Sequence, residues 1–176
     1  VEHPAVNAAA KQLTKRGWTL KYWPVDLKGN LKLELIDKLL EFPTKLVSII
    51  WAQSEVGSIQ PIRRIGEECK SRNILFHTDA TQILPQTSID FNSLPIDMIS
   101  ASAHKLQGPK GIGLLLSKLP NNKKLDSIQG GGNQEFGIRS GTESISLIAG
   151  FQTAISLLEE RALHTLHKTS FMDKEL

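Results

Sequence analysis

"SASAHKLQGPKGIG", Ser100 to Gly113, sets small residues ahead of a His-Lys pair and follows it with a Gly-Pro-Lys-Gly turn. The run it ends, "DMISASA" (97–103), has the small and apolar make-up of a strand buried on both faces, and "GIGLLLSK" (111–118) reads as another. A lysine at the end of such a strand is open to two readings. It can snorkel its amine to water, the ordinary fate of a strand-end lysine. Partly desolvated, it can instead give up its proton and attack a carbonyl carbon. Lys110, inside the turn, faces water and is the weaker candidate. The link between the two strands is too short for a helical crossover, so the second is free to run antiparallel.

Working outward, helix and strand patterns alternate. Val6, Ala9, Ala10 and Leu13 recur at helical spacing and stop at Gly17, predicting a helix over 6–16. "WTLKYWPV" (18–25) reads as a short β segment, and "LELIDKLLEF" (33–42) as a second helix ended by Pro43. "KLVSIIWA" (45–52) and "NILFHTDA" (73–80) are buried strands. Between them Pro61 opens a helix carrying Ile62, Ile65 and Cys69 on one face. From Glu143 one long helix follows. Short connections and this alternation imply an α/β fold with a largely parallel sheet.

Composition narrows the classes. An apolar fraction of 40% in 176 residues suffices for a core, and no apolar run is long enough to span a bilayer. The net charge of +3 is mild, and basic residues do not interleave with aromatics, so neither nucleic acid nor membrane is an expected partner. A single cysteine, Cys69, excludes an internal disulfide and cysteine-based zinc clusters. No metal is expected, and a reducing, cytoplasmic location fits. The chain opens at Val1 inside what reads as a motif, and its last helical run stops without a cap. Both suggest a piece of a longer protein.

In open α/β sheets ligands gather beyond the carboxyl ends of the strands. Three strands deliver polar groups there: Gln53-Ser54-Glu55, Asp79-Ala80-Thr81-Gln82, and Ser102, His104 and Lys105. Asp79 is either a turn-capping residue or a buried carboxylate in need of a cationic partner. A protonated pyridine nitrogen is one such partner. A lysine that forms a Schiff base, with an acid for the ring nitrogen, is the pairing that pyridoxal phosphate uses.

"EHPAVN", "HTDATQ", "SASAHKLQGPKGIGLLL" and "GGGNQEFGIRSGTES", in that order, resemble the motif series of the class V aminotransferases, specifically cysteine desulfurases of the NifS/IscS type. The resemblance covers almost the whole chain. It implies the pyridoxal-phosphate fold type I (aspartate aminotransferase-like) large domain, here incomplete, with a mixed, mostly parallel sheet. Residues 1–158 would be the central and later part of that domain. Residues 159–176 would lead toward a small C-terminal domain. The resemblance makes Lys105 the Schiff-base lysine and proton carrier, and Asp79 the partner of the pyridinium nitrogen. Gln82 would bond the phenolic oxygen, and His3 would stack on the ring and assist proton transfer. Ser102 and His104 would bind phosphate oxygens, and Thr142 would reach the phosphate of the partner subunit's cofactor in a homodimer. Ser54 stands where the family has a cofactor-contacting asparagine. Phe136 stands where arginine is common, in a glycine loop one residue longer than in the IscS type.

The activity so implied converts L-cysteine to L-alanine and an enzyme-bound persulfide, passed to an iron–sulfur scaffold or other acceptor protein. A selenocysteine lyase or other class V pyridoxal-phosphate enzyme, and a catalytically inert truncated paralogue, are the alternatives. Cys69 is read as core filling, not as the sulfur acceptor, because its spacing places it on an apolar helix face; the family's acceptor cysteine lies beyond these residues. "GGG" is out of register for a dinucleotide fingerprint. His164 and His167 share a helix side without a third ligand and read as a solvated face. "KLPNNKK" (118–124) reads as a surface turn.

Overall fold

Three of the apolar runs become neighbouring parallel strands, and their pairing sorts every side chain in them. The computed structural model describes residues 1–87, 89–119, 124–127 and 129–172, with 161–172 as backbone alone. The side chains of His164 and His167 and the middle of the 118–124 turn therefore lie outside the described residues. Strands β1 (Leu46–Ile50), β2 (Leu75–Asp79), β3 (Met98–Ser102) and β4 (Gly113–Ser117) lie in the order β1-β2-β3-β4. β2 is parallel to both β1 and β3. The register sets Ser48 beside His77 and Ile50 beside Asp79 on one side, and Asp79 beside Ser100 on the other.

Because strand side chains alternate between faces, one face carries Val47, Ile49, Phe76, Thr78 and Ile99. The other carries Ser48, Ile50, His77, Asp79, Met98 and Ser100. The first face is the core side. Helix α3 (Ile62–Ser71) presses Ile62, Ile65 and Cys69 into a cluster with Ile49, Phe76 and Ile96. Thr78, fully buried there, spends its hydroxyl on the Ile49 carbonyl at 2.8 Å.

Helix α1 (Pro4–Thr14) starts with Pro at its first position, where no N–H is needed. Two expectations are corrected. Residues 18–25 form no strand, only an isolated antiparallel bridge between Val25 and Leu31. Pro24 lacks a donor, and Asp26 Oδ1 draws the N–H groups of Lys28 and Asn30 into a turn at 2.8 and 2.9 Å. Gln60, 2% exposed, fastens that turn by donating to the Gly29 carbonyl at 2.7 Å and accepting the Leu31 N–H at 3.0 Å. The helix expected over 33–42 is a 3-10 turn (Leu33–Leu35) followed by a single α turn, α2 (Ile36–Leu39). Pro43 disfavours helical backbone just before it.

The described residues fall into two compact units. The first is Val1–Ala101 with Leu114–Leu116. The second is Ser102–Gly113 with the chain from Ser117 onward. Within the second, helix α4 (Ile145–Met172) packs on the turn that follows β3. A Cβ added to Gly108 would lie 3.2 Å from Cβ of Ala154, and one added to Gly150 would lie 3.2 Å from Pro109. Small residues let helix and turn approach this closely.

Gly66 on α3 faces the carbonyl oxygen of Pro95, and an added Cβ would overlap that oxygen and stand 3.1 Å from the Phe76 ring. Gly66→Ala is therefore expected to destabilise the full-length protein by about 1–3 kcal/mol, although alanine normally improves a helix interior. Denaturant unfolding checks this; a gain in stability would contradict the packing described. Cys69 is 0% exposed, and burial pushes its thiol up to about 12. Thiol reagents at neutral pH are expected to leave it unmodified until the protein unfolds, as mass spectrometry of the labelled peptides would register.

Candidate active site

The residues expected to do chemistry divide between the two units. In the first, Asp79 ends β2. It is 8% exposed, and its Oδ1 accepts the Thr81 N–H at 3.0 Å. This is the turn-capping role, and it leaves the carboxylate's charge without a lysine or arginine ion pair among the described residues. Gln82 is half-buried in the turn that follows.

His3 caps α1. Its Nδ1 accepts the Ala5 N–H at 3.2 Å, so a neutral ring carries its proton on Nε2. His3 is exposed, and the residue before it anchors the segment. Glu2 Oε1 accepts the N–H of Ile50, the last residue of β1, at 2.5 Å, while its Oε2 is buried without a hydrogen-bond partner among the described residues. Burial raises the Glu2 pKa, opposed by the Ile50 hydrogen bond and reinforced by the charge of Asp79. Sequence reading passed over Glu2. Its signal was an acidic residue immediately ahead of a helix-capping histidine, in a motif otherwise small or apolar.

Ser54 is exposed in the turn after β1. The neighbouring Gln53 holds that turn, its Oε1 accepting the N–H groups of Glu55 at 2.6 Å and Val56 at 2.8 Å. His77 was also missed as a functional candidate. Its Nδ1 lies 2.8 Å from Ser48 Oγ and its Nε2 3.0 Å from Ser100 Oγ, one partner from each neighbouring strand. Burial lowers its pKa, against the opposing pull of Asp79.

In the second unit, Ser102 ends β3 and leads into a 3-10 turn (Ala103–Leu106). Ala103 and Leu106 are buried, at 0% and 7% exposure, and His104 and Lys105 between them are exposed. The turn closes on itself: Gly108 N–H donates to the Ala103 carbonyl at 3.0 Å, and Ala103 N–H to the Ile112 carbonyl at 3.1 Å. Gln107 adopts left-handed backbone, φ 62°, to make the corner. The apolar ends of the turn are thus nailed down and its two basic residues presented. The desolvation expected of Lys105 is not supplied by the described residues.

Thr142 is exposed in the loop ahead of α4. The glycine loop before it folds back on itself, Ser140 Oγ donating to the Gly132 carbonyl at 2.9 Å and Gly141 N–H to Gln134 Oε1 at 3.1 Å. Glu135 and Phe136 both have left-handed backbone, φ 50° and 59°, and Phe136 is 98% exposed. An open cavity of about 450 Å³ lined by Phe42, Lys45, Arg72 and Asn73, among others, lies at the amino ends of β1 and β2, the opposite end of β2 from Asp79. Among the described residues no cluster suits a metal ion, and no helix is long and apolar enough to cross a membrane.

This arrangement has counterparts in known proteins. The chain is 43% identical over 160 residues to the cysteine desulfurase IscS of Clostridium botulinum, covering 91% of this chain and 40% of that protein. It is 36% identical over 159 residues to a cysteine desulfurase of Mus musculus, covering 90% of this chain and 35% of that one. The chain thus spans less than half the length of these relatives. Among solved structures, a NifS-like protein superposes with a TM-score of 0.86 at 37% identity, over 93% of this chain and 45% of that one. A structure of SspA in complex with cysteine superposes with a TM-score of 0.83 at 35% identity, over 89% and 45% of the two chains. The sheet and its flanking helices are those of part of the fold type I large domain these proteins share. The Aminotransferase class-V family matches residues 1–172, and the chain belongs to that family.

Proposed function

We propose that the whole protein is a pyridoxal-phosphate-dependent cysteine desulfurase and that residues 1–176 carry the cofactor-binding part of its large domain. The observation that carries this reading is Asp79, a buried carboxylate at a strand's carboxyl end without a lysine or arginine ion pair among the described residues. The donor set suits the cofactor. A protonated ring nitrogen answers the charge of Asp79, and hydroxyl and imidazole donors on Ser102 and His104 suit a phosphate.

Bound there, pyridoxal phosphate would supply an electron sink for the electrons released at the substrate's Cα. The chain's own residues do the rest. Lys105 would hold the cofactor through its amine and carry the Cα proton. Asp79 would keep the ring nitrogen protonated. Gln82 would bond the phenolic oxygen, His3 would stack on the ring and assist proton transfer, and Ser54 would stand in the place of the family's cofactor-contacting asparagine. Thr142 would serve the phosphate held by the partner in a homodimer. The sulfur of L-cysteine passes to the thiolate of an acceptor cysteine, leaving L-alanine and a persulfide for an iron–sulfur scaffold or another acceptor protein. Buried Cys69 is not that acceptor. A reducing, cytoplasmic setting suits the chemistry, and residues 159–176 lead toward a smaller C-terminal domain.

Borohydride reduction of the full-length protein with pyridoxal phosphate is expected to fix the label on Lys105. Lys105→Ala is expected to lower cysteine turnover by at least about 10²-fold, the scale of a lost general acid–base group. Label scattered over surface lysines would sink the reading in favour of an inert paralogue. Turnover confined to selenocysteine would redirect it to a lyase.

A further inference from the structure

His77 is a member of "HTDATQ" to which the mechanism gives no role, yet it is bound at both ring nitrogens. Ser48 on β1 and Ser100 on β3 approach it at 2.8 and 3.0 Å, forming one hydroxyl–imidazole–hydroxyl row across three strands. In the parallel register Ser48 pairs with His77 and Ser100 with Asp79, two residues further along β2, and all four share one face of the sheet.

Among the described residues no charged side chain of β1 or β3 shares the face of His77: Ser48 and Ser100 offer hydroxyls, and Met98 pairs with it in register. The charge that acts on the imidazole is that of Asp79, which also acts on Glu2, from the segment ahead of α1. A neutral imidazole offers one donor and one acceptor, and a serine hydroxyl rotates to meet either. The row is therefore fully satisfied with an uncharged ring. A protonated ring would be a second cation beside Asp79, competing for the negative charge that the ring nitrogen of the cofactor needs.

We propose that His77 is a positioning residue, kept as an uncharged spacer by Ser48 and Ser100 so that Asp79 is reserved for the protonated ring nitrogen. This rests on the functional reading above. His77 touches neither cofactor nor substrate in this role and acts only through Asp79. Burial favours the same neutral ring, pushing His77 below the ordinary histidine range.

The test compares two probes on the full-length apo-protein: pyridoxal phosphate, and its 1-deaza analogue, which has carbon in place of the ring nitrogen. His77→Lys puts a cation beside Asp79. Ser48→Ala combined with Ser100→Ala releases the imidazole and guards against a lysine variant that fails to fold. His77→Gln keeps a neutral hydrogen-bonding group. The lysine and double-alanine variants are expected to bind pyridoxal phosphate about tenfold more weakly, the scale of a charge-assisted hydrogen bond, and the deaza analogue as wild type does. His77→Gln is expected to stay within about twofold of wild type for both probes. Equal losses for both probes would mean that the row only supports the sheet, and unchanged affinities that it does not communicate with Asp79; either overturns the proposal. Wild-type protein that binds no pyridoxal phosphate would overturn the functional reading itself, and that result needs no variant to be seen.

Discussion

Parallel pairing of β2 with both of its neighbours is the constraint on which the other features rest. The register, with Ile50 and Ser100 flanking Asp79, fixes which residues share a face and which meet across strands. A slip of β2 by one residue would exchange its faces. It would drive His77 and Asp79 into the apolar layer under α3 and bring Phe76 out of it. The aliphatic packing of Ile62, Ile65 and Cys69 against Phe76 thus does more than stabilise. It makes the alternative register costly, and so holds the polar row where chemistry is available.

Much of this was legible in the sequence, for identifiable reasons. Strands buried on both sides are near-continuous apolar runs, and 45–52, 73–80 and 97–103 read that way; the observed strands lie inside these bounds. Cys69 could be assigned to the core because helical spacing ties it to Ile62 and Ile65. The failures came where local chemistry overrode composition. Residues 18–25 are rich in β-forming residues, but Pro24 and the Asp26 turn prevent pairing. Residues 33–42 have helical periodicity but only one α turn, with Pro43 close behind.

The site was only partly readable. Ordered motifs pointed to Lys105, Asp79 and His3, because such motifs reflect chemistry that few other arrangements need. Exposure was not readable. Lys105 looked desolvated from its approach run, whereas the buried ends of its turn are Ala103 and Leu106. Nor were the supporting groups readable singly. A serine in "KLVSIIWA" or "DMISASA" looks incidental until the folded sheet brings one hydroxyl to each ring nitrogen of His77. Gln53 and Gln60 likewise show their use only when the backbone groups they bind are known.

The hydrogen bonds that fix the two halves of the chemistry differ in how much chain they close. The bond from Ala103 to Ile112 shuts a loop of only a few residues, whereas the one from Ile50 to Glu2 spans 48 positions. By chain-closure entropy the longer ring costs about 1.5 kcal/mol more to form. The lysine-bearing corner can therefore take shape from its immediate neighbourhood soon after it is synthesised. The histidine at the other end is placed through a contact with β1, so its position depends on a segment 48 positions from Glu2.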